Sequence, residues 1–267
     1  MVDFKKEEFK DEFIVFKNDT IASLENYINN SLDENQKRCA SIVYWLNDYI
    51  NYLSFENKFS ANYLPVYKYG AVIDVNLGFN VGDEFGGKHY CVVLNKHDNK
   101  RNKLLTIVPL SSLKSNKTIK DLNRSEIYLG TTLHDLLDLK FKTEINLYNE
   151  MLKDLKEKGN QVKKEMNSTS EDKDIEIKSE SFGAYLKKVK KTTKKLNSGI
   201  KKSKNRLNKI EHLKEGSYAR CSQITTISKM RIFDPKNNND ALIDIQLPQE
   251  NMMDISKTIQ KLFLEKI

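Results

Sequence analysis

Between Tyr67 and Ser112 the chain carries three short runs rich in Val, Ile and Leu, at residues 71–75, 90–94 and 104–110. Gly, Asn and Asp bound each run. Runs of this length and composition read as β-strands, and their tight succession predicts a small sheet built locally. The first connection, residues 78–87, is glycine-rich and carries an acidic pair, Asp83-Glu84. The second, residues 95–103, is polar and holds a basic pair, Lys100-Arg101. Lys88-His89 stand together where the second strand begins, and Ser111-Ser112 where the third ends.

The order of these pieces resembles the core of the PemK/MazF family, the toxins of bacterial toxin–antitoxin pairs. The matching blocks are Gly70-Ala71-Val72-Ile73, Asn76-Leu77-Gly78, Gly82-Asp83-Glu84-Phe85-Gly86-Gly87, Lys88-His89-Tyr90, Cys91-Val92-Val93-Leu94 and Val108-Pro109-Leu110-Ser111-Ser112. A further block downstream, Gly216 to Lys229, is similar to the segment that the family writes with Gln-Ile-Arg-Thr at its centre; Thr225 stands at the arginine. Together they cover well under half of the chain. The chain also departs from the family at His89, where most members carry an arginine, and at Tyr90, where proline is common.

The resemblance implies an α+β fold around a small SH3-like β-barrel, and a toxin of a toxin–antitoxin system. Its activity would be metal-independent, sequence-specific cleavage of single-stranded RNA to 2′,3′-cyclic phosphate and 5′-OH ends. Such chemistry needs a base for the 2′-OH, donors for the phosphate oxygens and an acid for the leaving oxygen. His89 suits the acid or base role, because an unperturbed imidazole titrates near pH 6.5, at about working pH. Ser112, and after it Ser111, sits where the family places a hydroxyl that contacts the phosphate. Lys88, Gly86, Gly87, Glu84, Lys100 and Arg101 are the expected RNA contacts. Gly82, Gly86 and Gly87 are expected to adopt φ > 0, and Asp83-Glu84 to fix the loop by accepting backbone N–H bonds. No cofactor or metal is expected. The partners implied are single-stranded RNA, a cognate antitoxin (protein or RNA) and a second copy of the chain. On residue type alone, a histidine after two glycines is more often structural, and Ser-Ser at a strand end is usually a turn or cap.

Charge points the same way without deciding the matter. The chain has 267 residues, 31% of them charged, with a formal net charge of +8. That excess suits a polyanion, RNA or DNA, and equally suits a merely soluble lysine-rich protein. Cys39, Cys91 and Cys221 are scattered through apolar patterns without metal spacing, which predicts buried, reduced thiols. The first residues are charged and no long apolar stretch follows, so neither a signal peptide nor a membrane span is expected, and the predicted location is cytoplasmic.

The remaining sequence divides around this core. Residues 1–60 are predicted to be a helical extension, broken at Asn18-Asp19-Thr20 and restarted from a cap at Ser31 or Asp33. Its second helix would pack through Cys39, Ile42, Val43, Leu46, Tyr49, Ile50 and Leu53. Residues 61–130 form the first part of the barrel, with a fourth strand over 124–129. Residues 131–215 are predicted to be an inserted antiparallel coiled-coil hairpin. One arm carries Ile145, Tyr148, Leu152, Leu155, Val162 and Met166; the other carries Tyr185, Val189, Thr192, Leu196, Ile200, Ser203, Leu207 and Ile210, across an acidic connector, residues 167–180. From Leu186 to Ile210 the second arm has many lysines and no acid. They either meet phosphates or pair with Glu144, Glu150, Asp154, Glu157 and Glu165 of the first arm. Residues 216–267 complete the barrel with strands over 217–224 and 230–233 and a strand or extended segment over 241–247, and end in a helix from Gln249. The second function open at this stage is a non-catalytic RNA- or partner-binding module.

Overall fold

The structure, a computed structural model, describes residues 3, 5–114, 117–167 and 175–264; side chains at 165–167 and 175–182 are outside the description. It combines five α-helices with seven antiparallel strands among the described residues. The strands are β1 (Val72–Asn76), β2 (Lys88–Val93), β3 (Leu104–Ser112), β4 (Glu126–Gly130), β5 (Ser217–Arg220), β6 (Thr225–Ser228) and β7 (Ile232–Asp234). Their order is β4-β5-β3-β2-β1-β7, with β6 also on β3. This is an open path with β4 and β7 at its ends.

β3 is the longest strand, and the others are arranged on it. Its first half pairs with β6, Leu104 to Ser228 through Ile107 to Thr225. Its last three residues pair with β5, Leu110 to Ala219 through Ser112 to Ser217. The strand predicted over 217–224 therefore stops at Arg220 in a 3-10 turn, Cys221–Gln223, and β6 follows outside the predicted range. Of the strand or extended segment predicted over 241–247, no strand forms. Turn bonds from Ile243 N–H to Asp240 O and from Ile245 N–H to Leu242 O use its backbone locally, and one bridge, Ala71 to Gln246, remains.

The chain forms two compact units, residues 1–59 with 76–88, and residues 60–75 with 89–267. The larger unit has its main core on one face of the sheet. Val92, Val108, Leu110 and Ala219 pack there with Leu133, Leu137, Phe141, Ile210 and Leu213, and with Met252 and Ile255 of a C-terminal helix, Gln249–Phe263. The inserted hairpin is present as predicted. α3 (Thr132–Asn167) and α4 (Ile175–Ile210) leave and rejoin the sheet between β4 and β5, which pair with each other. α3 runs on through Asn167 and α4 starts at Ile175, so both arms extend into the predicted connector; residues 168–174 lie outside the described residues. Ser203 Oγ donates to Glu144 Oε2 at 2.8 Å, and a Cβ on Gly199 would meet the Tyr148 ring at 2.8 Å. Both contacts fit one antiparallel register. All eight predicted seam residues of α4 are buried or half-buried.

Lys229 ties this unit together from inside. Its ammonium is 2.7 Å from Asp98 Oδ1, both side chains are fully buried, and it also donates to Asn99 O. Asp98 in turn accepts from the Tyr67 N–H at 2.9 Å. The buried charges are thus hydrogen-bonded as well as paired, the condition for tolerating them.

The smaller unit holds α1 (Lys10–Ser31) and α2 (Gln36–Phe55) with the β1–β2 loop. α1 runs straight through the predicted break at residues 18–20. Thr20 Oγ1 donates to Phe16 O one turn back, so its hydroxyl is satisfied inside the helix. α2 is capped by Asn35, whose side chain accepts from Arg38 N–H, rather than by Ser31 or Asp33. Of the predicted apolar face only Cys39 and Ile42 are buried; Val43, Tyr49, Ile50 and Leu53 are exposed, and α1 buries no residue. Two helices can bury each other only along a narrow seam, and the predicted stripe is wider than that.

Candidate functional site

Strand register positions the predicted catalytic residues. β2 and β3 pair antiparallel as Cys91–Pro109, Val92–Val108 and Val93–Ile107. Two residues back from Cys91 is His89, and two residues on from Pro109 is Ser111. Side chains alternate along a strand and cross-strand partners share a face. His89 and Ser111 therefore lie at the same end of the pair and on the same face. Ser112 takes the opposite face, the one on which Leu110, Ala219 and the helices form the core. Both serines and His89 are half-buried. Extended by alternation, the register puts Ser111, rather than Ser112, on the His89 face of the sheet.

A polar cluster that the sequence reading did not single out adjoins Ser111. The cross-strand partner of Ser111 is Tyr218. Lys117 Nζ lies 4.3 Å from the Tyr218 ring centroid and donates to its hydroxyl at 3.3 Å. The same ammonium holds Glu126 at 2.9 Å, and Arg220 approaches Glu126 at 3.6 Å. Burial works against ionising Glu126, but hydrogen bonds from Lys117 and the Asn123 N–H outweigh it and hold the carboxyl below its usual range. Two cations thus converge on one carboxylate, on the Ser111 side of the sheet. The available signal was alternation: Arg220 is two residues from Tyr218 and must share its face. Lys117 gave no signal, because its position depends on a loop.

Other nucleophiles and bases near β2 are disabled by burial. It pushes the Tyr90 phenol up to about 12, helped by Asp74, and raises the Cys91 thiol well above its ordinary value. All three cysteines are buried free thiols, as predicted.

Within the smaller unit the β1–β2 loop is a built hairpin. Leu77 N–H donates to Gly87 O, and Gly87 N–H to Gly78 O at 2.6 Å. Asn76, 3% exposed, donates to Asp48 of α2 and accepts from Gly78 N–H. Gly78 has φ of +83°, and a Cβ there would lie 2.9 Å from the Trp45 ring, so only glycine lets α2 come this close. Gly82 and Gly87 have positive φ as predicted, but Gly86 does not. A Cβ on Gly86 would meet Gly78 O at 2.6 Å, so close backbone approach explains that glycine. Glu84 accepts from Val81 N–H at 3.4 Å, as expected for the acidic pair. Lys88 is 3.9 Å from Asp48.

The other predicted RNA contacts lie apart from the His89–Ser111 end. Lys100 and Arg101 are exposed in the loop at the far end of the β2–β3 pair, roughly 20 Å away at about 3.3 Å per residue. The lysines of α4 are exposed and project opposite the seam. Among the described residues no ion pair joins them to Glu144, Glu150, Asp154 or Glu157; the Glu165 side chain lies outside the described residues. Asp154 is taken by Lys158 of its own helix. Arg206 is the exception on α4, paired with Asp234 at 3.0 Å and with Glu144 at 3.9 Å. Among the described residues no helix is long and apolar enough to cross a membrane.

No protein-family model matches the chain, and no curated protein is significantly similar to it.

Proposed function

We propose that this protein is a metal-independent endoribonuclease of the PemK/MazF type, a toxin that cuts single-stranded RNA. The observation that carries the reading is the β2–β3 register, which sets His89 and Ser111 on one face of one sheet end. His89 would take the 2′-OH proton as the 2′-oxygen bonds to phosphorus, Ser111 would hold a phosphate oxygen, and the 5′-oxygen would leave with a proton from solvent. Lys117 and Arg220, across β5 from Ser111, would add positive charge against the developing phosphorane. The SH3-like barrel, the homodimer and the antitoxin belong to this proposal. The strands form an open path, so what supports the barrel reading is the family-like order of the sequence blocks alone. The test is product chemistry. RNA incubated with the purified protein in EDTA should yield fragments ending in 2′,3′-cyclic phosphate and 5′-OH. Fragments with 5′-phosphate ends, or intact RNA at high protein, would refute it.

A second reading, a non-catalytic RNA-binding module, is favoured by one observation: the α4 lysines present a cationic face free of paired acids among the described residues. Tight, salt-sensitive binding to RNA that stays uncut would select it.

A further inference from the structure

The smaller unit contains a groove whose loop wall includes Glu84, Gly86, Gly87 and Lys88, four of the expected RNA contacts, and whose helix wall has no assigned role. Its volume is about 420 Å³, within the range of small-ligand sites. One wall is α2, with Arg38, Tyr44, Trp45 and Asp48; the other is the β1–β2 loop, with Phe79 and Lys88. Aromatic rings therefore stand on both walls. The Arg38 guanidinium already lies over the Phe79 ring, 4.9 Å from its centroid, a stacked cation on the loop side. Tyr44, on the helix side, is 73% exposed. Trp45 is fixed against Gly78, and Asn76 and Asp48 brace the two walls. Flat aromatic faces with cations at the rim are the means by which proteins hold unstacked bases of single strands. α4 shows the opposite pattern, lysines without interleaved aromatics, and suits backbone contact alone.

We infer that the groove between α2 and the β1–β2 loop is a stacking site for one nucleobase of single-stranded RNA. The inference rests on RNA being the ligand, as proposed above, but not on cleavage. A base stacks between Tyr44 and the Arg38 guanidinium, which Phe79 backs, and Lys88 meets a flanking phosphate. The N-terminal helices thereby gain a role in substrate selection, because α2 supplies half of the site.

Trp45 is the chain's single tryptophan, so its fluorescence reports on this groove directly. The experiment titrates a short mixed-sequence single-stranded RNA into the full-length His89→Ala protein in EDTA, which keeps the RNA intact. The expected result is saturable quenching, weakened roughly tenfold by Phe79→Ala and at least severalfold by Tyr44→Ala. Tyr44 is exposed, so the second variant should keep the wild-type melting temperature and separates binding from folding. Absence of quenching, undiminished quenching in both variants, or equal quenching by duplex RNA of the same sequence would overturn the inference. Quenching without cleavage by wild type would discard the nuclease and keep the site; cleavage without quenching would do the reverse.

Discussion

Lys229 shows what a residue can mean when its partner is far off in sequence. It ends the block similar to a toxin segment, and nothing local marks it as buried. Its carboxylate lies 131 residues away at Asp98, in a loop that reads as polar connection. Lys229→Met should destabilise the protein by about 3–5 kcal/mol, because Asp98 would stay buried and unpaired. Denaturant unfolding measures this, and the double variant with Asp98→Asn should recover part of the loss. Glu126 gives a pH prediction. Its native pKa lies below the unfolded value, so its contribution to stability is fully present above about pH 4.5 and is lost as pH falls through the native pKa. Melting temperature should therefore drop over that acid range in wild type, and the drop should be shallower in Glu126→Gln. His89 was visible from sequence, but the choice of hydroxyl was not. The resemblance favoured Ser112, whereas alternation from the β2–β3 register puts Ser111 on the His89 face.

At the scale of elements, what is local was legible and what is tertiary was not. The α3–α4 hairpin was visible because its seam repeats every three to four residues. The first three strands were visible because they are short apolar runs between turn residues. The split between β5 and β6 was not, since residues 217–229 look continuous until β3 shows that both halves lie along it. Residues 241–247 have strand composition, yet Asp234 Oδ1 accepts from Leu242 N–H and holds the segment in turns. The destination of the α4 lysines was also undecidable, since pairing across the hairpin depends on geometry. Their exposure now yields a prediction. Replacing Lys187, Lys191, Lys194 and Lys201 by Gln should weaken RNA binding and flatten its dependence on salt, by about 0.7 in log–log slope for each lost phosphate contact to a single strand. Binding measured from low to moderate salt tests this; an unchanged slope would mean that α4 meets no phosphate.

For the whole molecule, a sheet end proposed to cut RNA and helices proposed to hold it belong to one chain. The base site is assigned to the N-terminal helices and the backbone face to α4, while the chemistry is assigned to β2 and β3. The minimal toxin core implied by the sequence resemblance has neither helical addition, so cutting and holding should be separable by mutation. The central claim concerns the cutting end, and single-turnover cleavage of single-stranded RNA in EDTA tests it most directly. Wild type should cut, His89→Ala should be slower by roughly 10²–10⁴-fold as expected for loss of a general acid or base, and Ser111→Ala should be impaired more than Ser112→Ala. Equal rates for wild type and His89→Ala, or a larger loss from Ser112→Ala than from Ser111→Ala, would contradict the account.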